Sequence, residues 1–278
     1  MMRPMQDLYR GSWALVTGAS SGLGEQFARQ LAALGSHLVL SARSEGKLRE
    51  LGDALSAEHG VACRTIACDL ARPEELDRLF AEIDGIGEPI DHVVNDAGVG
   101  RVGRFSEMPA DEQLYMLRLN CEALMRITHH FLPKLLARER GGFIQVASTS
   151  AYQPMPFMAT YGATKAFVLS FSSALSVELR GTGVRMLALC PGPVATGFHE
   201  RAGTELGAER VAALSAEQTV ERALKAYAAG RSVLVPGAVN RAHVLGTSIL
   251  PQRLLARAVE QGLRWSGRHP DVARKNGG

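Results

Sequence analysis

The residues best equipped for chemistry are Tyr161 and Lys165, four positions apart in Tyr161-Gly162-Ala163-Thr164-Lys165. From Ala159 to Arg180 the chain has helical spacing, with Phe167, Phe171, Leu175 and Leu179 recurring every four residues, so the phenol and the amine share one helix face. An unperturbed phenol keeps its proton to about pH 10 and is a poor base near neutrality unless a positive charge favours its anion. The Lys165 ammonium is expected to supply that charge, and the pair would then exchange a proton with a substrate oxygen. Taken alone, the spacing favours an ordinary surface pair. Ser148, which ends a buried apolar run, and a glycine-rich turn near the N-terminus both favour chemistry instead.

That turn reads Thr17-Gly18-Ala19-Ser20-Ser21-Gly22-Leu23-Gly24 and joins the apolar run from Trp13 to a helical stretch starting near Glu25. A strand-to-helix turn gathers free N–H groups and the positive end of a helix dipole, which suits a pyrophosphate. Glycine there permits the tight turn, close approach of a ligand and close packing of helix on strand. Geometry alone also produces such turns, so the motif by itself leaves nucleotide binding open.

The elements that must position these groups are legible as alternating runs. Trp13–Val16, Leu38–Leu40, Cys63–Cys68, His92–Val94, Phe143–Val146, Val184–Leu189 and Val233–Val235 are strand-sized and bounded by Gly, Asp, Ser or Pro. Between them lie helical patterns, among them Phe27, Leu31 and Leu34, then Leu48, Leu51 and Leu55, and the long stretch Leu114 to Leu136. Buried strands alternating with helices predict a doubly wound (Rossmann) α/β fold, a parallel sheet with helices on both faces, in a single domain. The domain is expected to span residues 1–236, with 237–278 forming a C-terminal helical extension packed on it. That extension alternates Leu245, Ile249, Leu254 and Val259 with Arg241, Arg253, Arg257 and Arg264; packing on the body is favoured over contact with a membrane surface.

Composition narrows the function classes. The 278 residues are 46% hydrophobic and carry a net charge of only +3, spread along the chain, so nucleic acid is not an expected partner. No apolar run approaches the ~20 residues of a spanning helix. Arg3, Pro4, Asp7 and Arg10 interrupt the N-terminal segment where a secretion signal needs an apolar core, and a cytoplasmic location is expected. Cys63, Cys68, Cys121 and Cys190 form no CxxC pair, and the histidines, including His129-His130, show no ligand spacing, so no metal is expected.

The glycine spacing, Tyr161-x-x-x-Lys165, Ser148 thirteen residues before the tyrosine, Asn120, Asn95-Asp96-Ala97-Gly98 and Pro191-Gly192-Pro193-Val194-Ala195-Thr196 together resemble the short-chain dehydrogenase/reductase family in its classical branch. The resemblance spans about Ser12 to Pro236. It implies a catalytic set of Asn120, Ser148, Tyr161 and Lys165: Ser148 and Tyr161 hold a carbonyl oxygen, Tyr161 gives or takes the proton, Lys165 also binds the nicotinamide ribose, and Asn120 anchors a water leading to Lys165. Read without the family, Asn120 is a helix-bending or capping residue. The resemblance further implies cofactor contacts from Gly18, Ser20, Ser21, Gly22, Leu23, Gly24, Asp69, Leu70, Asn95, Ala97, Gly98, Pro191, Gly192, Val194 and Thr196, besides Tyr161 and Lys165. Asp96 departs from the family pattern, which has a second Asn. The change removes amide donors from the central sheet and is expected to leave the reacting groups untouched.

In a doubly wound fold the end of the second strand faces the adenosine ribose, where an acid selects NAD. Here Ala42 stands at that place and Arg43 follows, so a guanidinium can grip a 2′-phosphate and NADP(H) is the expected cofactor; Ser20 and Ser41 are further candidates for that phosphate. Tyr152, Met155, Pro156, Phe157 and Met158, with Phe198 and His199 beyond the sixth strand, would wall an apolar site for a small carbonyl or secondary alcohol, although ordinary packing explains them equally well. Apolar rows along Leu114–Leu136 and Phe167–Leu179 permit a homodimer or homotetramer. Two other readings share the motifs. One is a nucleotide-sensing regulator without turnover, against which the complete Ser148, Tyr161, Lys165 set weighs. The other is an extended-branch epimerase or dehydratase, disfavoured by the glycine spacing.

Overall fold

The strand-sized runs pair as one parallel sheet of seven strands in a computed structural model that describes residues 3–194, 214–247 and 249–265. The strands are β1 (Trp13–Thr17), β2 (His37–Ala42), β3 (Cys63–Ala67), β4 (Ile90–Asn95), β5 (Gly142–Val146), β6 (Arg185–Leu189) and β7 (Val233–Leu234). Their spatial order is β3-β2-β1-β4-β5-β6-β7. Parallel neighbours cannot be joined by a hairpin, so each connection crosses back through a longer segment. The helices are α1 (Arg3–Tyr9), α2 (Gly22–Ala33), α3 (Glu45–His59), α4 (Pro73–Gly85), α5 (Ala110–Leu117), α6 (Leu124–Leu136), α7 (Ala159–Glu178), α8 (Ala216–Ala228), α9 (Ala238–Thr247) and α10 (Gln252–Trp265).

Side chains alternate across β1 into two separate cores. Ala14 and Val16 pack with Phe27, Leu31, Leu48 and Leu55, whereas Trp13 and Leu15 pack with Leu79, Ile83, Phe131 and Leu135. Both faces are therefore covered, which is the doubly wound arrangement and explains why each strand reads as a near-continuous apolar run. Strand order reverses between β1 and β4, and a crevice opens there at the carboxyl ends of the strands.

Two local features go beyond the sequence reading. The stretch Leu114–Leu136 is helical throughout but contains a π-helical turn, Arg118–Ala123, joining α5 to α6. Helix α1 was not foreseen; it buries Tyr9, whose hydroxyl donates to Leu224 O at 3.3 Å and whose ring meets His92 edge-on.

Candidate active site

The crevice is part of a cleft of about 1030 Å³ that runs from the turn after β1 to α9 and α10. Thr17 ties its floor together: Oγ1 accepts from the backbone N–H of Asp96 and Ala97 at 3.1 and 3.2 Å and donates to Val94 O at 3.3 Å. Gly18, with φ +70°, lies so close to Ala97 that a Cβ would sit 3.0 Å from its Cα. At Gly24 a Cβ would collide with Gly18 O and come within 2.9 Å of Asp96 Oδ2, so this glycine lets α2 seat under the turn rather than lining the cleft. Ser20, Ser21, Gly22 and Leu23 do line it, and the N-cap residue Ser21 makes no side-chain cap, leaving the first N–H groups of α2 to an anionic ligand.

At one end of the cleft stand Arg43, Ser44, Lys47, Asp69, Leu70 and Tyr115. Arg43 Nη1 donates to Tyr115 OH at 3.2 Å, which in turn donates to Asp69 Oδ1 at 3.0 Å, so the exposed guanidinium is steadied across the cleft edge. Lys47 and Tyr115 were missed in the sequence; the four-residue offset of Lys47 from Arg43 was an available signal for the first, and nothing distinguished the second. Ser41 is fully buried and outside the cleft lining, which removes it as a phosphate contact.

The other end carries the proton-bearing groups. Ser148 caps the short turn Thr149–Tyr152, accepting from Ser150 N at 3.1 Å, donating to Ser150 Oγ at 3.2 Å and hydrogen-bonding Tyr161. Lys165 Nζ donates to Val146 O at 2.8 Å and lies 5.8 Å from the centre of the Tyr161 ring. Burial pushes the Tyr161 phenol up to about 12, against the Ser148 hydrogen bond, and pushes the Lys165 ammonium down. Burial is the largest cause of the Tyr161 shift, and without a bound cofactor the phenol keeps its proton at neutral pH. A correction concerns Asp96. Its carboxylate lines the cleft, raises Tyr161 further and supports the charge on Lys165, so the family departure does reach the reacting pair.

Asn95 and Asn120 also sit differently from expectation. Asn95 is buried outside the cleft lining; its amide donates to Gln145 Oε1 at 2.9 Å, and Gln145 donates to Thr128 Oγ1 at 2.8 Å, a polar link between β4, β5 and α6. It is the last residue of β4, and its side chain points along the sheet while Ala97 and Gly98 reach the cleft. Asn120 occupies the π turn. Its amide clamps Val99 from both sides, accepting from N and donating to O at 2.9 Å each, and donates to Thr164 Oγ1 at 3.0 Å. The side chain therefore locks the loop after β4 onto α7 rather than reaching the cleft, and a helix-distorting asparagine was among the readings above. Gly98 passes against this clamp, its missing Cβ only 3.5 Å from Lys165 Nζ.

Pro191, Gly192 and Val194 line the cleft, and Thr196 lies outside the described residues, as do Phe198 and His199. Of the apolar wall expected before α7, Met155 and Met158 line the cleft, whereas Tyr152 turns its hydroxyl to Cys190 Sγ at 3.8 Å and Pro156 and Phe157 are not part of the lining. The rest of the wall comes from Val239 of α9, Leu250 between the two last helices, and Leu255, Val259 and Leu263 of α10. Asn240 of α9 packs against Gly192 and donates to Pro236 O at 2.8 Å, which seats the extension beside the site.

The glycine cradle, the open helix N-terminus and the Arg43 side fit a pyridine dinucleotide with a 2′-phosphate, and the far end offers a proton to whatever lies beside it. A cleft with that division of labour defines a nucleotide-dependent oxidoreductase. Residues 12–207 match the family model described as short chain dehydrogenase, and the chain belongs to that family. A very-long-chain 3-oxoacyl-CoA reductase from Phaeosphaeria nodorum is 37% identical over 183 residues, covering 64% of this chain and 53% of that protein. A short chain dehydrogenase from Pseudocercospora fijiensis is 33% identical over 191 residues, or 68% and 62% of the two chains. The chain thus spans about half the length of the first of these relatives. Among solved structures, a short-chain dehydrogenase from Sphingobium yanoikuyae in complex with NADPH superposes with a TM-score of 0.76 at 30% identity, covering 87% of this chain and 97% of that one. A 7beta-hydroxysteroid dehydrogenase superposes at 0.84 and 25% identity, covering 92% and 98%. Among the described residues no helix is long and apolar enough to cross a membrane.

Proposed function

We propose that the protein is an NADP(H)-dependent reductase that converts an apolar carbonyl compound to its secondary alcohol, and the reverse, with Tyr161 as the general acid and base. The observation that carries this reading is the buried Tyr161, hydrogen-bonded to Ser148 and 5.8 Å by its ring centre from Lys165 Nζ, in the cleft that Arg43 also lines. When bound, the cofactor supplies the hydride. Ser148 and Tyr161 then hold the carbonyl oxygen between two hydroxyls, and the phenol yields its proton as charge develops there. Lys165, fixed by Val146 O, keeps a positive charge near the phenolate that remains. Arg43, with Lys47 beside it, reads the 2′-phosphate. Asn120 acts through the loop it clamps.

Met155, Met158, Val239 of α9, Leu250 and the Leu255, Val259 and Leu263 row of α10 make the substrate end apolar, and the name of the fungal relatives makes a 3-oxoacyl thioester the first candidate. Exposed Leu114, Leu117, Met125 and Phe167 on α5, α6 and α7 support a homo-oligomer formed through that face. The test is a panel of 3-oxoacyl thioesters and apolar ketones followed by NADPH absorbance. Tyr161→Phe should lower turnover by about 10²–10⁴-fold while leaving NADPH binding intact. Equal turnover in that variant, or NADPH binding with no compound consumed, defeats the proposal.

A further inference from the structure

We infer that the turn between α9 and α10 docks the protein on an anionic lipid surface at the mouth of the cleft. Large apolar side chains gather there in the open: Ile249 is 83% exposed and Leu245 67%, with Leu250 and Leu254 about half exposed. Single exposed apolar residues are ordinary, but here four large ones fall within ten residues around Pro251. The neighbouring charge is one-sided. Residues 238–265 contain Arg241, Arg253, Arg257 and Arg264 against a single acid, Glu260, which pairs with Arg264 at 3.0 Å.

Helical spacing separates the two characters. Leu255, Val259 and Leu263 line the cleft, whereas Arg253, Arg257 and Arg264 recur on the opposite side of α10. The arginines thus flank the apolar turn without filling the groove behind it. Exposed apolar side chains with an excess of arginine on the adjoining helices are the pattern that enters the boundary between headgroups and acyl chains of an acidic bilayer. A second copy of this chain fits the patch poorly, because twofold pairing sets arginine against arginine with only Glu260 to offset them. An acidic peptide fits poorly too, since the side chains presented here are large and apolar. Leu250 belongs both to the patch and to the cleft lining, so an apolar substrate held in the bilayer would meet the opening directly. Docking itself does not depend on turnover.

The experiment is co-sedimentation of the full chain with vesicles of phosphatidylcholine alone or of an equal mixture with phosphatidylserine. Binding is expected on the mixed vesicles and is expected to fade with added salt. Leu245→Asp with Ile249→Asp should reduce the partition coefficient by at least about ten-fold, and Arg253→Gln with Arg257→Gln by about five-fold per charge. None of these residues lines the cleft, so NADPH binding and sedimentation mass should match the unsubstituted protein, which controls for folding. The inference is overturned if the unsubstituted protein stays in the supernatant with mixed vesicles, or if the aspartate variant binds them equally well. It is also overturned if that variant loses an oligomer, which assigns the patch to a second copy.

Discussion

Replacing Asp96 by Asn should move the pH dependence of the oxidation direction. The family pattern has an asparagine at this place, so the backbone tolerates the exchange, and the two side chains are nearly isosteric. In the unsubstituted protein the Tyr161 phenol is held up to about 12 from 10.0, by burial first and the Asp96 charge besides. Two pH units correspond to about 3 kcal/mol in favour of the protonated form, and about one site in 10⁵ carries phenolate at pH near 7. Carbonyl reduction needs the phenol and should be nearly flat across neutral pH. Alcohol oxidation needs the phenolate and should rise about ten-fold per pH unit. Through an effective dielectric of about 20, a carboxylate lining the same cleft contributes on the order of 1 kcal/mol, somewhat under one pH unit. Loss of that charge lowers the phenol pKa, so the oxidation limb of Asp96→Asn should shift toward lower pH by about that amount. Single-turnover rates in both directions, read by NADPH absorbance across the pH range, separate the chemical step from product release. Superimposable profiles for the two proteins, or a limb displaced to higher pH, refute the assignment of Asp96 as an electrostatic partner of Tyr161.

Arg43→Ala should weaken NADPH binding by about 10- to 100-fold and leave NADH nearly unchanged, as expected for losing a charge-assisted contact; Lys47→Gln should show a smaller effect in the same fluorescence titration. Gly24→Ala drives a methyl group into Gly18 O and Asp96, and should cost about 1–3 kcal/mol in denaturant unfolding together with NADPH affinity. His92 is buried against Tyr227 OH at 2.9 Å and Leu8 O at 3.3 Å, and burial holds its pKa down from 6.5 to about 4. The unfolded chain therefore takes up this proton first: the contribution is complete above about pH 6.5 and about 3 kcal/mol is lost as pH falls to about 4. Urea unfolding at neutral and acidic pH should show that loss in the parent and a flatter response in His92→Gln; equal slopes in the two proteins would remove His92 from the account.

The fold was legible because two-sided burial makes each parallel strand an uninterrupted apolar run, and Trp13–Val16 or Phe143–Val146 need no partner to be recognised. The residues proposed to react stood out for a different reason, since Tyr161 and Lys165 lie one helical turn apart and Ser148 closes a strand. What escaped depends on contacts between distant segments. Tyr115 meets Arg43 and Asp69 only because α5 crosses the open end of the sheet. Asn95 and Asp96 are adjacent in sequence yet face a buried glutamine and the cleft respectively, because one is the last residue of β4 and the other the first beyond it. The rise of the Tyr161 pKa escaped as well, since its largest cause is burial, which no spacing reports.

These departures share one physical cause, the closeness with which backbone replaces side chain around the reacting pair. Missing Cβ atoms at Gly18 and Gly24 bring the turn after β1 against the segment from Asp96 to Ala97, and the missing Cβ at Gly98 lets that segment run on past Lys165 Nζ. The π turn then places Asn120 so that one amide satisfies both polar groups of Val99 and reaches Thr164 on α7. Tyr161 and Lys165 are buried beside this clamp, and burial is the largest cause that raises the one and lowers the other. Under the proposed mechanism, a phenol in that setting would resist losing its proton until negative charge develops on the oxygen opposite it, so the proton would move in step with reduction rather than ahead of it. Loosening the clamp by Asn120→Ala should accordingly readmit water and bring the Tyr161 pKa back toward 10.0, with the oxidation limb shifting in the same direction as for Asp96→Asn.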